Sequence, residues 1–382
     1  MYLHEFQAKK LLSFYGISVP NGFLLECTED ITHLLYFFDD DYLVLKAQVH
    51  LGGRGKLGGI IIVENTYKSI LHGVKSLLNK NFFLKNDFSS SLIVSKILVE
   101  SKIEIISEFY FSYFINRDTS SIVLLVSKFG GIDVEISSEF FEINLDLNIG
   151  LLESDVIYLL EKISLDFKYL KDMYFVLNNA FSLFVDFNLL LLEINPFVLT
   201  NNGFLCLDAK IEVDDASLFR NRYIENIFDY SQKNKLEVMA SKKNMSYIAL
   251  NGLIGCIVNG AGLAMATLDV ITIYGGKPAN FLDIGGNAAS DCIISAFEIL
   301  LLNPQVKVIF INIFGGIIRC DIIAKNIVLA VTSLKVDIPV IVRLIGNMSD
   351  VGLEIINNSR LNLCIDNDLL SAVKKSILYS RG

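Results

Sequence analysis

The chain has 382 residues, with 33 Lys and Arg against 42 Asp and Glu, a formal net charge of −9. With 52% apolar and 20% charged residues it is not a disordered chain, and its acidic balance excludes nucleic-acid binding driven mainly by phosphate electrostatics. At about 150 residues per domain, this length predicts two or three domains, each able to bury a core without disulfides.

Residues 4–15 carry a helical pattern with Phe6, Leu11, Phe14 and Tyr15 inward, closed by Gly16 as the residue after the cap. No basic and apolar leader precedes it, so no signal peptide is expected. Leu43 to Ala47 is expected as a strand, and Leu92 to Glu100 as another. Phe109 to Ile115 and Ile122 to Val126 suit a pair, as do Leu189 to Ile194 and Phe204 to Leu207, joined at Asn201-Asn202-Gly203. Antiparallel strands mixed with helices make this half α+β.

The composition shifts at residues 230–244, rich in Ser, Lys, Gln and Asn. We place a boundary there, giving domains 1–240 and 241–382. Beyond it strands and helices alternate. Strands fit 247–250 or 254–258, 280–284, 306–312, 339–344 and 362–365. Helices fit about 262–270, 289–302, 321–334, 350–358 and 368–379. That alternation predicts a parallel doubly wound sheet with its ligand site beyond the carboxyl ends of the strands. The mean hydropathy of +0.49 raises a membrane reading, and residues 245–268 carry no charge. Asn251, Asn259 and four glycines interrupt that stretch, so we read it as strand, turn and helix. Six cysteines show no C-x-x-C spacing, which suits reduced thiols in a cytoplasmic protein.

Two patterns carry chemistry. Residues 52–59 hold five glycines with Arg54 and Lys56, and Lys46 ends the preceding strand. Glycines let backbone N–H groups approach an anion, and the cations complement it, so the loop suits phosphate. A surface hairpin is the competing reading. It is not a Walker loop, since Leu57 follows Lys56. The second pattern is Glu193-Ile194-Asn195-Pro196, where alternation puts Glu193 and Asn195 on one face, with Asp208 ending the next strand. A carboxylate and an amide oxygen suit Mg²⁺ beside phosphate, and a solvated strand end is the alternative.

These stretches, with Leu3-His4-Glu5-Phe6-Gln7-Ala8-Lys9, Val258-Asn259-Gly260-Ala261-Gly262 and Asn312-Ile313-Phe314-Gly315-Gly316-Ile317-Ile318-Arg319-Cys320-Asp321, resemble the β subunits of ADP-forming succinyl-CoA synthetases along essentially the whole chain. The resemblance implies an N-terminal ATP-grasp domain and a flavodoxin-like doubly wound domain. It implies formation of succinyl-CoA, ADP and phosphate from succinate, CoA and ATP. An α subunit would carry the phosphohistidine and most of the CoA site.

By position, it implies that Lys46, Gly53, Arg54 and Gly55 hold phosphates, that Glu100 and Ile103 line the base and hinge, and that Glu108 reaches the ribose. Asn195 and Asp208 would bind Mg²⁺, and Glu193 would orient the phosphohistidine. Asn259 with Gly316, Ile317 and Ile318 would meet substrate, Gly315 and Gly316 preceding a helix terminus suited to phosphate. Asn287 departs from the pattern where the family has glycine. A ligase for malate or another dicarboxylate shares these motifs. A dinucleotide oxidoreductase is disfavoured because Met265 stands where a third glycine belongs.

Overall fold

A computed structural model describes residues 1–84, 87–131, 134, 139–285 and 290–381. It contains two compact units, Met1–Gln232 and Lys233–Gly382.

The first unit begins with α1 (Glu5–Phe14) and β1 (Gly22–Leu25), then α2 (Ile31–Leu34), β2 (Tyr42–Ala47), β3 (Ile60–Glu64) and α3 (Tyr67–Leu77). It continues with β4 (Asn81–Leu84), β5 (Asp87–Ile93), β6 (Ile97–Ser101), β7 (Ser107–Asn116), β8 (Ser121–Ser127) and β9 (Phe141–Leu145). It ends with α4 (Glu153–Lys162), α5 (Leu170–Asp186), β10 (Leu189–Thr200), β11 (Gly203–Cys206), β12 (Ala209–Val213) and α6 (Arg222–Ile227). One sheet has the order β1-β6-β2-β3 and another β11-β10-β7-β8-β9, with β12 also on β10. All these pairings are antiparallel.

Gly16 has φ +75°, the left-handed angle expected of the residue after the helix. Leu11 and Leu12 face the core, but Phe14 points outward at 83% exposure, against the inward placement expected. The expected strand from Leu92 to Glu100 is two, β5 and β6. Between them the Val94 N–H and C=O bond to Lys80 and Asn79, and the Lys96 carbonyl accepts from Gln48 N–H. The expected 189–194 strand runs on through Pro196 to Thr200, so β11 pairs with its far half and β12 with its near half. The two short strands thus follow one another along β10, and Asp208 stands at their joint.

The second unit holds α7 (Lys235–Ser241), β13 (Ser246–Ala249), β14 (Ile254–Val258), α8 (Ala261–Ile273), β15 (Asn280–Asp283) and α9 (Ser290–Leu301). It continues with β16 (Val308–Gly315), α10 (Cys320–Ser333), β17 (Val340–Gly346), α11 (Ser349–Asn358), β18 (Leu363–Ile365) and α12 (Leu369–Arg381). The strand order is β13-β15-β14-β16-β17-β18. All are parallel except β13, which runs antiparallel at the edge. Both candidate strands around 247–258 exist, the first forming this edge. Taken alone, the five parallel strands have the doubly wound order 2-1-3-4-5, with a switch point between β14 and β16.

Apolar side chains from α9, α10 and α11 cover one face, and those from α8 and α12 cover the other. This two-sided burial explains the nearly unbroken apolar run of β16. Val258 pairs with Asp283 in register, while further back the Asn280 side chain bridges to β14. Its amide donates to the Cys256 carbonyl at 2.9 Å and accepts from Cys256 N–H at 2.9 Å. Residues 245–268, the charge-free stretch, become β13, β14 and the start of α8. Among the described residues no helix is long and apolar enough to cross a membrane. Asn287 lies outside the described residues.

Candidate functional site

The glycine loop between β2 and β3 folds back on itself. The N–H groups of Lys56, Leu57, Gly58 and Gly59 donate to carbonyls of Gly53, Arg54, Gly55 and Arg54 again, at 2.8–3.1 Å. Gly53 and Gly58 bound this turn with φ +69° and +70°, which explains glycine at both places. Four N–H groups are therefore used within the loop. Gly53 and Gly55 are exposed, and at Gly52 and Gly53 nothing lies within 4 Å of where a Cβ would stand.

Arg54 turns inward instead. One guanidinium nitrogen donates to Ala47 O at 2.8 Å, and the other contacts the Glu5 carboxylate and stands 3.4 Å from Asp208. Lys46 meets Glu5 at 2.9 Å, Glu100 at 2.6 Å and the Leu207 carbonyl at 2.6 Å. Lys9 bridges Glu5, at 2.8 Å, and Glu100. Lys9, Lys46 and Arg54 thus face Glu5, Glu100 and Asp208 in a mostly buried cluster of balanced charge.

Buried charges are tolerated only when paired and hydrogen-bonded, and this balance supplies the pairing. Burial opposes ionisation of Glu5, but Arg54, Lys46 and Lys9 outweigh it and hold the carboxyl well below its usual range. Burial likewise favours neutral Lys46, but Glu5, Glu100 and Asp208 keep the ammonium charged beyond its ordinary range. Burial and then Glu5 push Asp208 upward, against the pull of Arg54.

Asn195 sits where the β10–β7 register shifts, between Ile194 and Phe197. Its neighbour Pro196 has no N–H to donate to a ladder. The irregularity leaves the Asn195 side chain to clip Gly131, accepting from its N–H at 2.6 Å and donating to its carbonyl at 3.3 Å. Asn195 N–H also donates to Asp208 O at 3.1 Å, so the two residues are neighbours as expected. Glu193 shares Asn195's half-exposed face, flanked by Ser112 and Lys210 on the adjacent strands. Burial raises the Glu193 pKa, Lys210 draws it back in part, and Asp208 adds to the rise.

Glu108, on β7, lies against Gly131, where a Cβ would come within 2.6 Å of its carboxylate. Ile103 is half-buried in the segment joining β6 to β7. A cavity of about 740 Å³ opens beside Glu100 and Lys9, with Leu24, Leu98 and Phe187 among its walls. Among the described residues no group of three or more His, Cys, Asp or Glu side chains is placed to hold a metal ion.

The structure therefore brings Lys46, Arg54, Glu100 and Asp208 together, with Asn195 and Glu193 adjoining. Sequence reasoning missed Glu5 and Lys9 as members of the cluster. Their i,i+4 spacing was visible, but it resembles a solvated surface pair.

In the second unit, Asn259 and residues 316–318 follow β14 and β16, at the switch point. The Asn259 amide donates to Phe314 O at 2.9 Å and accepts from Phe314 N–H at 2.8 Å, clipping the two strand ends together. Gly316 and Ile317 are exposed, the latter at 87%, and Ile318 is buried. The helix does not start directly after Gly316. It starts at Cys320, whose N–H donates to Asn347 O at 3.0 Å, so this first terminal donor is not free for phosphate. Asp321 in the first turn pairs with Arg319 at 2.8 Å.

Residues 2–199 match the ATP-grasp domain family and residues 257–377 match the CoA-ligase family. The chain is 39% identical over 383 residues to succinate–CoA ligase (ADP-forming) subunit beta of Alkaliphilus oremlandii, covering 99% of each chain. It is 38% identical to the subunit of that name from Haemophilus influenzae (strain PittEE), covering 100% of each. Among solved structures, ATP citrate lyase from Methanothrix soehngenii shares its fold, with TM-score 0.72, 18% identity and 99% of each chain covered. The Methanosaeta concilii enzyme of that name aligns at TM-score 0.73 and 16% identity, over 98% of each chain. Fold and site thus define an ATP-grasp protein that also carries a CoA-ligase domain. The chain belongs to the family of β subunits of ADP-forming succinate–CoA ligases.

Proposed function

We propose that this chain, with an α subunit, catalyses succinate + CoA + ATP ⇌ succinyl-CoA + ADP + phosphate in the cytoplasm. The observation that carries the reading is the convergence of Lys46 and Arg54, from a strand end and a glycine loop, on a carboxylate cluster beside Asn195. Cations held there by carboxylates suit exchange of those partners for phosphate oxygens. The full-length likeness to subunits named for this reaction supports the substrate.

In this reading Lys46 and Arg54 take the phosphates, with Gly53 and Gly55 allowing close backbone approach. The apolar cavity beside Glu100 takes the base, Ile103 lines the hinge, and Glu108 meets the ribose. Asn195 and Asp208 would hold Mg²⁺. The donor set fits a hard ion, two oxygen ligands from the protein with phosphate and water completing the shell. The ion's contribution is to neutralise phosphate charge. Asn259, Gly316, Ile317 and Ile318 meet succinate, and CoA binds mainly on α.

Asp208→Asn keeps the shape and removes the charge. It should raise the Mg²⁺ concentration for half-maximal activity while leaving the fold intact, and a normal Mg²⁺ dependence would remove Asp208 from the metal site.

A nucleophile must carry the phosphoryl group from ATP toward the acyl group. This chain has four histidines, His4, His33, His50 and His72, and residues 241–382 have none. His4 is buried and engaged with Asp229 at 3.0 Å. The family resemblance implies a histidine carrier on the α subunit, which the absence of histidine from residues 241–382 supports. Glu193 would orient it, since a carboxylate fixes an imidazole tautomer and stabilises its cation. The chain, alone and with α, is incubated with γ-labelled ATP and Mg²⁺. Acid-labile, base-stable label should appear on α and not on this chain. Stoichiometric phosphohistidine here would overturn the assignment. Succinyl-CoA formation by the co-expressed pair, with malate in parallel, tests the substrate.

A further inference from the structure

Lys46 and Arg54 come from different elements, and one carboxylate outside both joins them. Glu5, in the first turn of α1, is 4% exposed. Its Oε1 accepts from Lys46 at 2.9 Å and Lys9 at 2.8 Å, and its Oε2 accepts from Arg54 and, at 3.5 Å, from the Gln48 amide. The Gln48 oxygen accepts from Phe6 N–H at 3.1 Å, which ties the first turn of α1 to the end of β2. The carboxylate therefore sits on a backbone that is anchored beside it. The helix N-terminus also favours its negative charge.

Asp208, by contrast, is half-buried and stands 3.4 Å from Arg54, while Glu100 pairs with Lys46 at 2.6 Å and with Lys9. We propose that Glu5 is a positioning residue that holds Lys46 and Arg54 at a fixed separation for the nucleotide phosphates, while their contacts with Glu100 and Asp208 are the ones that yield. The proposal rests on reading those two cations as phosphate contacts.

A distinctive kinetic consequence follows. Removing the Glu5 charge leaves all three cations in place, so attraction for the polyphosphate persists. What is lost is their alignment, and misalignment appears in turnover rather than in ground-state binding. The loss of a direct phosphate contact would instead weaken nucleotide binding.

The test uses the complex with the α subunit. It measures kcat and KM for ATP in succinyl-CoA formation for Glu5→Gln, for Glu5→Gln combined with Lys9→Met, and for Glu5→Asp. The double substitution removes one anion and one cation, which keeps the buried cluster balanced if the single variant does not fold. Glu5→Gln, or the double variant, should lose about tenfold or more in kcat with KM for ATP within about threefold. Glu5→Asp keeps the charge and draws it back by one methylene, and it should recover part of the lost kcat.

Wild-type kcat in the folded Gln variants overturns the proposal, as does a raised KM with kcat intact. Failure of all three variants to fold gives Glu5 a purely structural role and also overturns it. Lys46→Ala, run in parallel, separates the two levels. If it leaves nucleotide affinity unchanged, the reading of the site fails. If it weakens affinity while the Glu5 variants behave as wild type, only the present inference fails.

Discussion

Lys46→Ala is expected to weaken ADP binding by about ten- to a hundredfold, the equivalent of the roughly 1.5–3 kcal/mol in a charge-assisted hydrogen bond. The ammonium has three acceptors in the cluster, so its removal also unbalances it. Glu100 would keep Lys9 as its contact, and Glu5 would keep Lys9 and Arg54. Breaking a buried ion pair from one side costs about 3–5 kcal/mol. The variant should therefore melt at a lower temperature as well as bind more weakly. Calorimetric titration with ADP, performed well below the variant's melting transition, separates the two effects. Unchanged affinity there would remove Lys46 from the phosphate site, whatever happens to stability.

The largest effect on folding is expected from Phe310→Ala. Phe310 lies in β16, the central strand, fully buried against side chains of β14, α8, β17 and α12. Truncating a buried phenylalanine costs about 3–5 kcal/mol, because the transfer energy is lost and a cavity remains. Against a total stability of about 5–15 kcal/mol that is a large fraction. Urea unfolding followed by circular dichroism should show the transition of the second unit moving to lower denaturant. A loss under about 1 kcal/mol would mean that α8 and α12 collapse into the space.

The second unit was the more legible half. Its strands and helices are dictated locally, the strands by short unbroken apolar runs such as β14 and β16 and the helices by the segments between them. Local pattern does not say which strand neighbours which, so the antiparallel placement of β13 and the 2-1-3-4-5 order became visible only in three dimensions. The break between β5 and β6 was hidden for a related reason. Leu92 to Glu100 contains no glycine or proline, and what parts it is a set of hydrogen bonds to residues 48, 79 and 80.

In the site, the glycine loop, Lys46 and the Glu193–Asn195 alternation were visible because residue type and spacing carry the chemistry. Glu5 and Lys9 were not, because nothing local distinguishes a buried Glu–Lys pair from a solvated one. The partners that bury them lie far along the chain, at positions 46, 54 and 100. Phe14 shows the reverse failure, an aromatic at an apolar-face position that stays 83% exposed with its ring edge-on to Tyr15.

Asn280 places an unusual demand on chemical identity. Where β14 and β15 diverge, its side-chain amide stands in for a missing peptide unit, offering one donor and one acceptor to the two backbone groups of Cys256. Aspartate at this place would set a carboxylate oxygen against the Cys256 carbonyl, two acceptors facing one another with no solvent to part them. Glutamine would carry the same amide one methylene too far, and leucine would leave a donor and an acceptor orphaned inside the sheet. Loss of a single ammonia by hydrolysis of this amide would thus convert a suture between two strands into a wedge, and the complete burial of Asn280 keeps bulk water from that carbon.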